Sequence, residues 1–309
     1  MSSFHVISIG DLVADVVVAI PELPVEADFN QLVREIQLEP GGAGNFLIAG
    51  ARLGMQMEAL GAVGEDIYGA AILDILAGEW VEINRVLRQK GGTTTTVFVL
   101  VDDSGHHVFL GHYGEGPDVI LPESWRQALA GADAVTAFGY TLQEKRMARS
   151  MMDGLRFANS RGIPVFFDPG PFMQTATEEE RNIILSCCHA ILMTEQEIPF
   201  MTGGKSGIEA ARGLLDAGPK IICIKRGLQG CQIFTKEGTA QHEGYHVKVV
   251  DTTGAGDTFA AAFVYAYLQG WSIEKIASFA NAMGAAMVQK LGSGRHAPSW
   301  EDINQIIRE

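Results

Sequence analysis

The chain is poor in cysteine, in positive charge and in long apolar runs. Its four cysteines, Cys187, Cys188, Cys223 and Cys231, include no C-x-x-C pair, and two of them are adjacent. A disulfide framework or a zinc site needs regularly spaced pairs, so neither is expected. Buried thiols in a reducing cytoplasm are expected instead. Lysine and arginine number 23 against 37 aspartates and glutamates, a formal net charge of −14. Such a surface repels polyanions and argues against nucleic acid as a partner. No stretch reaches the roughly 20 apolar residues that span a bilayer. The opening MSSFHVISIG has neither the basic flank nor the apolar length of a secretory leader. A cytoplasmic protein with no membrane partner is the expectation.

What the chain does have is apolar mass. Over 309 positions 47% of residues are hydrophobic and 19% are charged, the composition of a globular protein with a sizeable core. HVISIGDLVADVVVAI reads as a strand, a turn and a second strand, and LVREIQL at 32–38 alternates weakly enough to pair with it. GGAGNFLIAGARLG carries a helical pattern from about Gly44 to Gly54. TTTTVFVLVDDSGHHVFLGHY reads as a hairpin turning at Asp-Ser-Gly. Farther on, ADAVTAFG, GIPVFFDPG, CHAILMTE and KIICIKRG are short apolar strands separated by helical patterns. Strands alternating with helices predict βαβ units and a parallel sheet covered on both faces. With no repeat and no linker, residues 1–309 read as one α/β domain with a small β appendage from about 14–38 and 93–113.

Three motifs look chemical and fail on context. HEGYH at 242–246 matches H-E-x-x-H, but zinc proteases need both histidines on one helix face, and here a glycine and a β-rich run follow. Strand histidines facing solvent are expected. GGKSG at 203–207 lacks the first glycine of a phosphate loop, because position 199 is Pro199, so Lys205 reads as a loop cation. GSGRHA at 292–297 fits a loose G-x-G-x-x-A but follows a helical segment, where a dinucleotide site needs a strand.

Two glycine junctions carry more weight. In VVDTTGAGDTFAAAFVYAYLQG, Gly254, Ala255 and Gly256 stand where a β-rich run becomes a helix. The first amides of a helix lack acceptors, and the dipole adds positive character, so this is an anion site. Asp257 would repel a resting anion. It makes sense there as a base that takes a proton from a nucleophile beside the anion, the apparatus of phosphoryl transfer. The alternative is an aspartate that only answers the helix dipole. At the second junction, Gly41, Gly42, Ala43 and Gly44 let backbone approach a polar ligand, and Asn45 offers a donor and an acceptor to a hydroxyl. Asp11 and Asp15 lie just past the first strand, where α/β sheets place their crevice. Asp15 suits a polyol. Asn45 as a helix cap and the aspartates as turn residues remain the alternatives.

On these two motifs, DTTGAGDTF at 251–259 and GGAGNFLIAGARLG with GAVGEDIYG behind it, the chain resembles the PfkB, or ribokinase-like, family of carbohydrate and nucleoside kinases. The likeness extends over essentially the whole chain. It implies a three-layer α/β/α ribokinase-like fold, with a mostly parallel central sheet and a small β-sheet lid over the sugar. It implies ATP-dependent phosphorylation of a hydroxymethyl group on a small sugar or sugar-like polyol, with magnesium. By residue, it implies Asp257 as the catalytic base and Gly254, Ala255 and Gly256 as the anion hole. It implies Asp15, Gly41, Gly42 and Asn45 as sugar contacts, Lys225 and Gly227 in the nucleotide loop, and Asn281 near the adenine. Asp251 and Thr253 match a monovalent-cation site of some members, which would be taken by potassium.

The chain departs from the family in two places. Where N-x-x-E is usual, it has Thr194 with Glu197 kept, which bears on magnesium and phosphate. The lid strand FLGHYGEGPD lacks the substrate-contacting residues of several members. A nucleoside is therefore the rival substrate, with Val97, Val99, Phe109 and Tyr113 available to hold a base. The same residues serve equally as lid packing, or as the contact of a homodimer formed through the lid. A kinase-like binding protein without turnover is the reading from another class, favoured by Thr194 alone.

Overall fold

The computed structural model describes residues 3–28, 30–104 and 106–308. Phe29 of the expected appendage and Gly105 of the Asp-Ser-Gly turn lie outside them. In chain order the strands are β1 (His5–Ile9), β2 (Val13–Ala19), β3 (Glu35–Gly41), β4 (Gln56–Leu60), β5 (Ala62–Gly64), β6 (Leu87–Gln89), β7 (Thr95–Val101), β8 (His107–His112), β9 (Ala134–Phe138), β10 (Val165–Asp168), β11 (Ala190–Thr194), β12 (Ile221–Lys225), β13 (Cys231–Phe234) and β14 (Thr239–His242).

Eight of them form the main sheet in the order β14-β13-β12-β11-β10-β9-β1-β4. The six from β12 to β4 run parallel, and β13 and β14 close one edge as an antiparallel hairpin. The period-two alternation of each strand divides its side chains between two cores. Val6, Phe166 and Cys223 face one core, while Ile7, Phe167 and Ile222 face the other. Because both faces are buried, the strands read as continuous apolar runs. Helices Ala43–Arg52, Ala255–Leu268 and Ile273–Met287 cover the first face. Helices Glu123–Ala130, Lys145–Ser160 and Glu178–Cys187 cover the second. Helices Ala255–Leu268 and Ile273–Met287 pack closely because alanines fill the seam, among them Ala260, Ala262, Ala277 and Ala280, all fully buried. All four cysteines are buried and free. Among the described residues no helix is long and apolar enough to cross a membrane.

A second sheet, β3-β2-β7-β8, stands apart from the first. Its pairing starts at Glu35 instead of Leu32 and runs through Pro40 to Gly41, which sits opposite Val13. Leu32 is left 91% exposed. The largest difference from expectation lies at HVKVVD. In spite of its β-branched content, the segment 243–249 joins no strand. Its alternating Tyr245, Val247 and Val249 face a cavity in place of a neighbouring strand. His242 ends β14 and accepts a hydrogen bond from the amide of Gly244, while His246 lies outside any strand. The described residues hold no cluster of three metal-ligating side chains.

Candidate active site

The chain crosses from β1 to β4 on one side and to β9 on the other, so the strand order reverses beside β1. In an open α/β sheet this reversal leaves a crevice beyond the carboxyl ends of the strands. Polar residues stand at those ends: Asp11 after β1, Tyr140 after β9, Asp168 on β10, Thr194 on β11 and Lys225 on β12. All five line a cavity of about 460 Å³ that the second sheet roofs with Val97, His107 and Phe109. A second cavity, about 670 Å³, lies on the far side of Lys225. Thr194, Lys225, Thr252 and Gly256 line both, so the two spaces meet at the start of helix Ala255–Leu268.

That helix start is built as its sequence implies. Gly254 caps the helix at φ 74°, a left-handed conformation that favours glycine. A side chain there would also crowd Asn45 and Ser293, whose nearest atoms lie 3.3 Å from a Cβ. The amide of Ala255 donates weakly to Thr252 at 3.3 Å. The amides of Gly256 and Asp257 have no acceptor among the described residues, as first-turn amides do not. Asp257 accepts a 2.8 Å hydrogen bond from Asn45 Nδ2. Burial pushes its carboxyl up to about 7, with Asp168 adding to the rise and Asn45 and Lys225 opposing it. A carboxyl tuned there can take up a proton near neutral pH, which a merely dipole-paired aspartate could not do.

Asn45 lines the smaller cavity, as expected of a sugar contact, and also bonds within the protein. It holds Asp257 with its amide, and its Oδ1 accepts from the Gly294 amide at 2.7 Å. Gly41 is required by a close approach, since the Asp15 carboxylate occupies the space a Cβ would need. Gly42 lines the smaller cavity and precedes helix Ala43–Arg52. Asp15 faces Asp257 there, and burial together with that neighbouring charge lifts its carboxyl to about 8. Asp11 rises to about 7, mainly by burial, with Thr95 bonding its carboxylate. Val97, Phe109 and Tyr113 line this cavity, as a base-binding wall would require. Val99 does not, for it is fully buried with Val17 and Val101 in the second sheet's own small core.

Two residues of this cavity were invisible as site residues in the sequence. Asp168 forms a buried ion pair with Lys225. Burial alone would lower the Lys225 ammonium, but Asp168 and Glu197 hold it above its ordinary value. Its Nζ lies 3.4 Å from the position of a Cβ on Gly256, at the seam of the two cavities. Tyr140 stands on the wall with its ring edge against Phe172, 5.9 Å between centroids. An aspartate ending an apolar strand before Pro-Gly, in FFDPG, was the available signal for Asp168. Glu197 is buried, accepts from the Thr194 amide at 2.8 Å, and is raised by burial and by Asp168.

The larger cavity is mostly apolar, with Val247, Val249, Phe259 and Val288 on its walls beside Gly227. Asn281 also lines it and donates to the Ala277 carbonyl at 2.8 Å and to Cys231 Sγ at 3.2 Å. Asp251 is buried and accepts from the amide and hydroxyl of Thr253 and from the Gly292 amide, at 2.7–2.9 Å. The loop 292–295 ties these parts together. Besides its bonds to Asp251 and Asn45, it sends Arg295 onto Glu39 of β3 in a forked pair at 2.7–3.2 Å. The failed GSGRHA match thus marked a working loop whose ligands are the protein's own side chains.

The sequence pattern of the pfkB family of carbohydrate kinases matches residues 3–300. The ATP-dependent ribose-1-phosphate kinase of Halopiger xanaduensis is 29% identical over 99% of this chain and 98% of its own. Fructokinase-2 of Solanum habrochaites is 27% identical over 87% of each chain. Among solved structures, the Arabidopsis thaliana ribokinase complexed with ribose and ATP superposes with a TM-score of 0.83 at 24% identity, over 100% of both chains. The likeness in that case is one of fold: a mostly parallel sheet between helical layers, with a small separate sheet.

Proposed function

The chain belongs to the pfkB family of carbohydrate kinases, and from that premise we propose that it moves the terminal phosphoryl group of ATP onto a primary hydroxyl of a small sugar. The reading is carried by the hydrogen bond of Asn45 to Asp257 at a helix start where two cavities meet. The larger cavity takes the nucleotide, its base among Val247, Val249, Phe259 and Asn281. The smaller takes the sugar, with Asp15 accepting from its hydroxyls. Asp257 removes the proton of the attacking hydroxyl, and Asn45 keeps the carboxylate turned toward it. The Gly256 and Asp257 amides and the Lys225 ammonium meet the charge on the transferring group, where preorganised donors do most of the work. The second sheet acts as a lid that excludes water, so that ATP is not spent on hydrolysis. Residues 1–309 then act as a single catalytic domain, lid included.

Magnesium fits the carboxylates present. Glu197 and Asp168 are buried beside one another with raised carboxyls, a pair that a cation would settle. Bound there, the ion would draw charge from the phosphates, and Thr194 supplies a shorter arm than the usual asparagine. A monovalent cation, potassium, has a fitting place beside Asp251, where Ser293 Oγ is buried without a protein partner. Four buried free thiols fit work in a reducing cytoplasm. The lid's outer face pairs Val16, Phe98 and Leu110 across three strands, with Phe98 41% and Leu110 56% exposed, which suits a homodimer through the lid.

Phe109, Tyr113, Tyr140 and Phe172 on the acceptor walls favour a nucleoside as the second reading, because a base needs flat apolar surface. The test of the kinase itself is Asp257→Asn. Turnover in a coupled assay should fall by about three orders of magnitude, while sugar binding by calorimetry persists. Turnover within tenfold of the wild type would remove Asp257 from its role, and with it this reading.

A further inference from the structure

The acceptor cavity restricts the charge of what enters it. The charged side chains lining it are Asp11, Asp15, Asp168, Glu197 and Asp257 against Lys225, the one lysine or arginine among the described lining residues. Lys225 is already matched by Asp168. The arginines of neighbouring elements are committed elsewhere: Arg146 pairs with Glu115, Asp118 and Glu144, and Arg295 with Glu39. The rest of the wall includes the His107 imidazole on the roof and the rings of Phe109, Tyr113, Tyr140 and Phe172. Tyr113 and Tyr140 each set a ring edge-to-face with Phe172, at 6.0 and 5.9 Å.

Resting on the kinase reading above, we propose that the acceptor is an uncharged polyhydroxy compound, and that Asp11 and Asp15 reject acceptors already bearing a phosphate or a carboxylate. Asp11 is anchored for this task, its amide donating to Thr141 Oγ1 at 3.1 Å just past β1. Asp15 stands on β2 across from the reacting end. Above about pH 8, where both carboxyls are ionised, an anion placed between them meets like charge in an enclosed space whose lysine is already paired, a repulsive element of the kind that sets specificity. It also strikes at the chemistry, since a nearby negative charge holds the proton on Asp257 that the reaction must free. A neutral polyol meets neither penalty, because each carboxylate accepts hydroxyl hydrogen bonds and the aromatic rings take its carbon face.

The test measures kcat/KM at about pH 9, where both carboxyls are ionised, over matched neutral and anionic acceptors: D-ribose against ribose 1-phosphate, D-fructose against 2-keto-D-gluconate, and guanosine against guanosine 3′-phosphate. In every pair that is turned over, the neutral member should exceed its partner by at least about a hundredfold. Asp11→Asn should narrow that gap about tenfold, and Val97→Lys, which adds a cation to the same wall, should narrow it too. An anionic member that equals or exceeds its neutral partner, with turnover lost in Asp257→Asn, overturns the charge selection and leaves the kinase reading standing. No turnover of any compound by the wild type overturns both.

Discussion

The two sheets of this protein are put together on opposite terms. In the main sheet Val165, Phe166 and Phe167 are fully buried in succession, because helices cover both faces. In the small sheet Phe98, Leu110 and Ile36 are 41–63% exposed. A strand packed on both sides cannot shift without opening a core, so its end is a fixed point. Asp168 and Lys225 stand on such ends, and Asp257 on a helix packed against them. The small sheet is tied in through Glu39 to Arg295, and it supplies walls such as Val97 and Phe109. On the proposed reading, chemistry falls to the layer packed on both faces and choice of acceptor to the small sheet, consistent with catalytic groups needing sub-ångström placement.

The widest separation between the two regions should come from Lys225→Met. Its kcat should drop about a hundred- to a thousandfold, with the acceptor KM nearly unchanged. The same variant strands Asp168 in a buried site, so its melting temperature should fall. Adding Asp168→Asn should recover the melting temperature but not the turnover. A double variant that regains turnover would reduce the ion pair to a structural element.

A smaller effect comes from pH. As the proposed base, Asp257 must be ionised to act, and burial lifts its carboxyl to about 7. Turnover should therefore decline below neutrality, by about tenfold per pH unit once well below that value. Asp11 and Asp15 titrate in the same region, so the fitted value belongs to the group of three. An acid limb centred near 4 would mean that enclosure leaves these carboxylates unperturbed.

The smallest change should follow Phe98→Glu on the lid's outer face. Sedimentation should show a dimer in the wild type and a monomer in this variant, with kcat within about twofold of the wild type and the acceptor KM raised a few-fold, as befits a lid less firmly held. A variant that remains dimeric would put the interface on another surface.

Much of this was open to reading from the residue order. Strands such as IICIK and VFFD are apolar without a break, and that pattern predicts a sheet covered on both faces. Gly254-Ala255-Gly256-Asp257 announces a helix start with open amides, because glycine and helix geometry act over a few residues. What resisted reading depended on partners far along the chain. VKVV has the composition of a strand, yet its Val247 and Val249 face a cavity. Asp168 looks like a turn residue until Lys225 is brought against it from a strand 57 positions away. Asn45 reads as a sugar contact, and only the fold shows that it also donates to Asp257 and accepts from the Gly294 amide.

By itself, then, the sequence determined the layered α/β architecture and a helix start with open amides, because each follows from local periodicity or from a few adjacent residues. Tertiary structure alone decided which carboxylates share one cavity, that a single lysine answers them, and that burial lifts Asp257 to about 7. Those properties arise from distance and desolvation between groups on separate strands, and neither quantity exists until the chain has folded.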